Sequence, residues 1–115
     1  MGFNKEEIKG VTIIAVEDER LDSTIAPQLK SEILILANDG VKNILIDLSN
    51  VNYADSSGLG AFLFGIRQLK SVGGQLKLFS ANERIMSLVR IARLDNILLN
   101  YFNKEEAVSS FIGEA

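Results

Sequence analysis

Short apolar runs alternate along this chain with apolar stripes at helical spacing, and that alternation decides what it can fold into. Val11 to Val16 (VTIIAV) is a β-branched run, and Ile44 to Leu48 (ILIDL) and Gln75 to Phe79 (QLKLF) follow it at wide intervals. Between and after them, Ala26, Leu29, Ile33, Leu36 and Ala37 recur every three to four residues. Leu59, Phe62, Leu63, Ile66 and Leu69 do the same, as do Ile85, Leu88, Val89 and Ala92. A weaker strand, Phe3 to Ile8, precedes the first run, with Lys9-Gly10 as a hairpin turn. Ile97 to Phe102 reads as a last short strand and Lys104 to Ile112 as a terminal helix. The order β-β-α-β-α-β-α-β-α means parallel pairs joined by right-handed crossovers, and the opening hairpin makes the sheet mixed. The expectation is one α/β domain over residues 1–115.

Punctuation falls where that order needs it. Asp22, Ser23 and Thr24 offer a cluster of N-cap residues before the first helix, and Pro27 sits in its first turn, where no N–H partner is lost. Asp39-Gly40 stops that helix, Ser71-Val72-Gly73-Gly74 stops the second, and Ser80 to Asn82 caps the third.

Composition removes whole classes of chemistry. The 115 residues contain neither Cys nor His. Thiolate catalysis, disulfides, Cys/His zinc sites and a Ser-His-Asp triad are therefore excluded, and no cofactor is expected. At 12.6 kDa the chain exposes roughly 18,000 Å² unfolded and about 6,000 Å² folded, so an ordinary core needs no staple. Its longest apolar run, Ile33 to Ala37, is far short of the ~20 residues that span a bilayer. No basic segment followed by an apolar one opens the chain, so a cytoplasmic protein without membrane insertion is expected. Residues 67–93 carry six bases against Glu83 alone, but apart from Lys77 they are spaced along helices as a solvated face would be. With an overall charge of −3, direct nucleic-acid binding is not expected.

The segment Asp55-Ser56-Ser57-Gly58-Leu59-Gly60 joins a buried strand to a helix, a place where open α/β sheets hold ligands. Its residues suit plain helix capping, with glycines that let the helix approach the sheet. A phosphate-binding loop is the second reading, although neither G-x-x-x-x-G-K-[ST] nor G-x-G-x-x-G is present. The third is that a serine here is itself modified.

Tyr53-Ala54-Asp55-Ser56-Ser57-Gly58-Leu59-Gly60, followed by Gln68 to Leu76 with its Gly73-Gly74, resembles the signature of the anti-sigma factor antagonists, bacterial proteins built on a STAS domain. Arg20-Leu21-Asp22 is similar to the family's Gly-(Glu/Arg)-Leu-Asp segment, and the likeness runs from about Val11 to Phe111. Glu19 stands where the family usually has Gly, and Arg93-Leu94 replaces a frequent Gly-Leu. The resemblance implies a mixed sheet of four to five strands with helices packed mainly on one face. It also implies a non-catalytic module with Ser56 as its phosphorylation site. The unphosphorylated form would bind a serine-kinase anti-sigma factor, with ATP bound to that partner, and free a sigma factor. A metal-dependent serine phosphatase would reset it.

Around Ser56, the residues Asp22, Ser23, Asp55, Ser57 and Gly58 are candidates for the partner surface. Asp22 and Ser23 equally suit an N-cap. Phe64 lies off the apolar stripe, about 140° around the helix from Leu59, and suits either packing against a neighbouring helix or anchoring a partner. Two rival readings stand beside this one. The chain could serve another assembly, a stress-signalling scaffold or a lipid-transport complex, because fold alone does not fix the partner. A small nucleotide hydrolase using Asp55 and Ser56 is disfavoured by the lack of any base paired with the serine.

Overall fold

The VTIIAV run forms a strand, β2 (Val11–Val16), that pairs antiparallel with β1 (Phe3–Ile8) and parallel with β4 (Asn43–Asp47). Lys9 and Gly10 between the first two have φ of 52° and 82°, the double left-handed geometry of a tight hairpin. The computed structural model describes residues 2–112. β4 pairs parallel with β6 (Gln75–Phe79), and β6 with the short β7 (Asn100–Tyr101). The sheet order is therefore β1-β2-β4-β6-β7, mixed as expected. Among the described residues four helices accompany it: α1 (Ala26–Asn38), α2 (Ser56–Lys70), α3 (Glu83–Ile91) and α4 (Lys104–Ile112).

Alternation of side chains divides the core in two. Ile14, Val16, Ile44, Ile46, Leu76 and Leu78 point into the layer under α1, α2 and α3. Val11, Ile13 and Leu45 point to the other face, where α4 covers them with Ala107, Val108 and Phe111. Three helices on one face and one on the other explain why β4 reads as an unbroken apolar run. Lys77 points to the α4 side and is buried, yet it is satisfied. Its Nζ donates to Ser110 O and Oγ at 3.1 and 2.9 Å and lies 4.8 Å from the Phe111 ring centroid. None of the described helices is long and apolar enough to cross a membrane.

Helix ends follow one design. In α1, α2 and α3 the chain closes with a 6→1 bond: Val41 N to Leu36 O, Gly74 N to Leu69 O, and Leu94 N to Val89 O. The residue before each donor is left-handed: Gly40 at φ 94°, Gly73 at 78° and Arg93 at 62°.

Three details differ from the sequence reading. Asp22, Ser23 and Thr24 do not cap α1; Ile25 holds the N-cap position and makes no side-chain cap bond. Asp22 instead closes its own turn, its Oδ1 accepting from Thr24 N at 3.0 Å and its carbonyl from Ile25 N and Ala26 N. The last strand spans Asn100–Tyr101 rather than Ile97 to Phe102. Ile97 N and Leu98 N both donate to Leu94 O, so the start of that segment is a turn that drives Leu98 into the core. Two further strands, β3 (Arg20–Leu21) and β5 (Tyr53–Ala54), form a separate parallel pair.

Candidate functional site

That small ladder is what assembles the site. Arg20 pairs with Tyr53 and Leu21 with Ala54, while Asn52 N and Tyr53 N both donate to Glu19 O. The pairing lays the Asp22–Thr24 turn beside the start of α2. The Arg20 guanidinium stacks 4.2 Å from the Tyr53 ring centroid, and its Nε lies 3.5 Å from Asp22 Oδ2, fixing the turn from its outer side. Gly58 makes the close approach possible. It is buried, and a Cβ there would stand 2.8 Å from Leu21 O and 3.0 Å from Leu21 Cγ. Its place is beneath the site, against β3, rather than on the open surface.

Asp55 is the N-cap of α2, in extended conformation, with Oδ1 accepting from Ser57 N at 2.8 Å and Gly58 N at 3.4 Å. Its half-buried carboxylate is thus turned onto the helix backbone. Ser56 is the first helical residue and is exposed, whereas Ser57, next in line, is half-buried. Among the described residues the Ser56 hydroxyl has no hydrogen-bond partner. It is a free hydroxyl, displayed at the positive end of a 15-residue helix.

Ser56, Ser57 and Gly60 on α2, with Ser23 and the α1 residues Ala26, Pro27 and Lys30, line an open depression of about 350 Å³. Ser23 and Ser56, widely separated in sequence, are therefore on one surface. Asp22 does not line the depression but holds the turn that carries Ser23. Phe64, one turn beyond Gly60, is half-buried, with Lys30 Nζ 5.9 Å from its ring centroid. Pro27, Lys30 and Gly60 are not among the site residues expected from the sequence. Gly60 lay inside the quoted motif, but which face of α1 meets α2 depends on sheet order, so Lys30 gave no local signal. Among the described residues no group of three or more acidic, His or Cys side chains is placed to hold a metal.

Comparison with known proteins bears on this arrangement. A family model described as STAS domain matches residues 2–108. The anti-sigma-B factor antagonist of Bacillus subtilis is 37% identical over 78 residues, covering 68% of this chain and 71% of that protein. The corresponding Staphylococcus aureus protein is 31% identical over 78 residues, covering 68% and 72%. Among solved structures, the phosphorylated form of the Bacillus cell fate determinant SpoIIAA superposes with a TM-score of 0.75 at 22% identity, covering 95% of this chain and 98% of that one. A model match over nearly the whole chain, with relatives above 30% identity, leaves one assignment: this chain belongs to the STAS domain family.

Proposed function

We propose that this chain is a cytoplasmic, phosphorylation-switched anti-sigma factor antagonist that acts as a single non-catalytic unit. Unphosphorylated, it binds a serine-kinase anti-sigma factor carrying ATP and so releases a sigma factor. The kinase then phosphorylates Ser56, and a metal-dependent serine phosphatase reverses the step. The observation that carries the reading is Ser56 itself, exposed at the first position of α2 and, among the described residues, without a hydrogen-bond partner, beside a cap formed by Asp55 instead. The names of the relatives support the partner class. Ser23 and Ser57 would meet the partner at the depression, Asp55 and Phe64 would flank it, and Asp22 and Gly58 would set its shape from below.

Reaction with the cognate kinase and ATP, followed by phosphopeptide mapping, is expected to place the phosphate on Ser56. Phosphate mainly on Ser57 or Thr24 overturns the assignment. Ser56→Ala should abolish phosphorylation and keep partner binding. Because Asp55 rather than Ser56 supplies the cap, its effect on folding should stay within about 0.5 kcal/mol.

Gly60 separates stability from binding. A Cβ there meets nothing within 4 Å, and the residue sits inside a helix. Gly60→Ala is expected to stabilise the fold by about 0.5–1 kcal/mol. The added methyl enters the depression, so affinity for the anti-sigma factor should fall. A melting curve and a binding titration on the same variant check both signs. Unchanged affinity would move the partner off this surface.

A further inference from the structure

Among the described residues, the depression that holds Ser56 is lined by one cation, Lys30. Lys30 projects from the second turn of α1 and shares the depression with Ser23, Ser56, Ser57 and Gly60. Among the described residues it has no ion-pair partner; its Nζ rests 5.9 Å from the Phe64 ring centroid. Phe64 lies one turn beyond Gly60, and Gly60 one turn beyond Ser56, each turn rising about 5.4 Å. A four-carbon stem with a solvated ammonium can swing along that face.

The other charged groups on the segments that border the depression are already engaged or have the wrong sign. Arg20 is held between the Tyr53 ring and Asp22. Asp22 is tied to Arg20 and to Thr24 N, and Asp55 to the amides of Ser57 and Gly58. The Asp55 carboxylate has therefore taken two of the helix N–H groups that a phosphate would otherwise meet, and it adds a like charge beside it.

Resting on the reading that Ser56 carries phosphate, we propose that Lys30 is the built-in counter-cation of that phosphate, leaving the Phe64 ring to pair with it across the depression. The pairing draws the phosphate toward α1 and offsets the carboxylate of Asp55. It also keeps the phosphate doubly charged. Its second proton leaves near pH 6 in an isolated phosphoserine, and Lys30, once it has swung from Phe64 to within about 6 Å of the phosphate in a water-like medium, lowers that midpoint by about half a pH unit. The switch would then carry full charge under mildly acid conditions.

The test uses full-length protein with phosphoserine installed genetically at position 56, so it does not depend on any kinase. Phosphorus NMR titrations give the midpoint of the phosphate in the parent, in Lys30→Gln and in Lys30→Arg, with amide NMR confirming that each is folded. Lys30→Gln is expected to raise the midpoint by about half a pH unit at low ionic strength. Lys30→Arg should leave it near the parent value, and the difference should shrink as salt screens the pair. Equal midpoints in the parent and Lys30→Gln would overturn the proposal. Kinase mapping that places phosphate elsewhere would instead remove the reading of Ser56 and leave this measurement standing.

Discussion

Phosphate on Ser56 is expected to weaken binding of the anti-sigma factor about a hundredfold without rearranging the sheet. The macrodipole of α2 favours a negative group by about 0.3–1 kcal/mol, so the fold accepts the modification. Asp55, however, already occupies the amides of Ser57 and Gly58, so the phosphate stays at the surface, where a partner must cover it. Covered, it lies close to the Asp55 carboxylate. Two like unit charges about 6 Å apart repel by roughly 0.7 kcal/mol in water and roughly 2.8 kcal/mol at an effective dielectric of about 20, so covering them costs about 2 kcal/mol per unit of phosphate charge. With about 1.5 to 2 such units, and Lys30 offsetting part of the repulsion, the penalty comes to about 2.8 kcal/mol, a hundredfold in affinity. No conformational change is needed to reach that figure. Titrations of both forms at low and high salt, with amide NMR of each, check it. Shifts should be confined to 55–60 and the facing 22–30 segment, and salt should recover part of the affinity. Shifts spread through β2, β4 and β6 would show a switch of a different kind.

Much of this was legible in the sequence, for identifiable reasons. β2, β4 and β6 announce themselves as apolar runs, and α2 by its i, i+3, i+4 stripe, because burial writes a period into a long enough element. The Asp-Ser-Ser-Gly start of α2 reads locally too, since an N-cap bond spans only two or three residues. β3 and β5 were not legible. Two residues cannot display a strand period, and their pairing joins Leu21 to Ala54 across all of α1 and β4. Yet that pair builds the depression. The cap of α1 departs from the sequence pattern for the opposite reason. Asp22-Ser23-Thr24 has the right composition, but Asp22 spends its carboxylate on Thr24 and its carbonyl on Ile25 and Ala26, forming a turn ahead of the helix. Arg93 is instructive in another way. It holds the left-handed position that closes α3, with its N–H on Arg90 O and the next N–H on Val89 O. The resemblance places Gly there; Leu94, packed against the core, keeps the motif closed with a residue less suited to it.

The Gly73-Gly74 pair allows the sharpest prediction about the fold, because the two glycines are needed for different reasons. Gly73 sits at φ 78°, the left-handed turn that ends α2, and a Cβ there would meet nothing within 4 Å. Gly73→Ala therefore costs only the conformational penalty, about 1–2 kcal/mol. At Gly74 the constraint is contact. A Cβ would stand 1.9 Å from Lys42 O and 2.6 Å from Lys42 C, both backbone atoms just ahead of β4. The same carbonyl accepts from Gln75 N at 2.9 Å, next to the Asn43–Gln75 register that opens the β4·β6 pair. A methyl group cannot be housed there by a rotamer change, so either that bond breaks or the closing Gly74 N to Leu69 O bond does. Gly74→Ala is expected to cost about 3 kcal/mol or more, lowering the melting temperature by roughly 12 °C or more. Thermal and urea unfolding of the three variants should rank Gly74→Ala below Gly73→Ala, and both below Gly60→Ala, which should exceed the parent. A Gly74→Ala protein that melts with the parent would mean that the Lys42 carbonyl can withdraw at no cost, and that the start of the β4·β6 pair is not fixed by this contact.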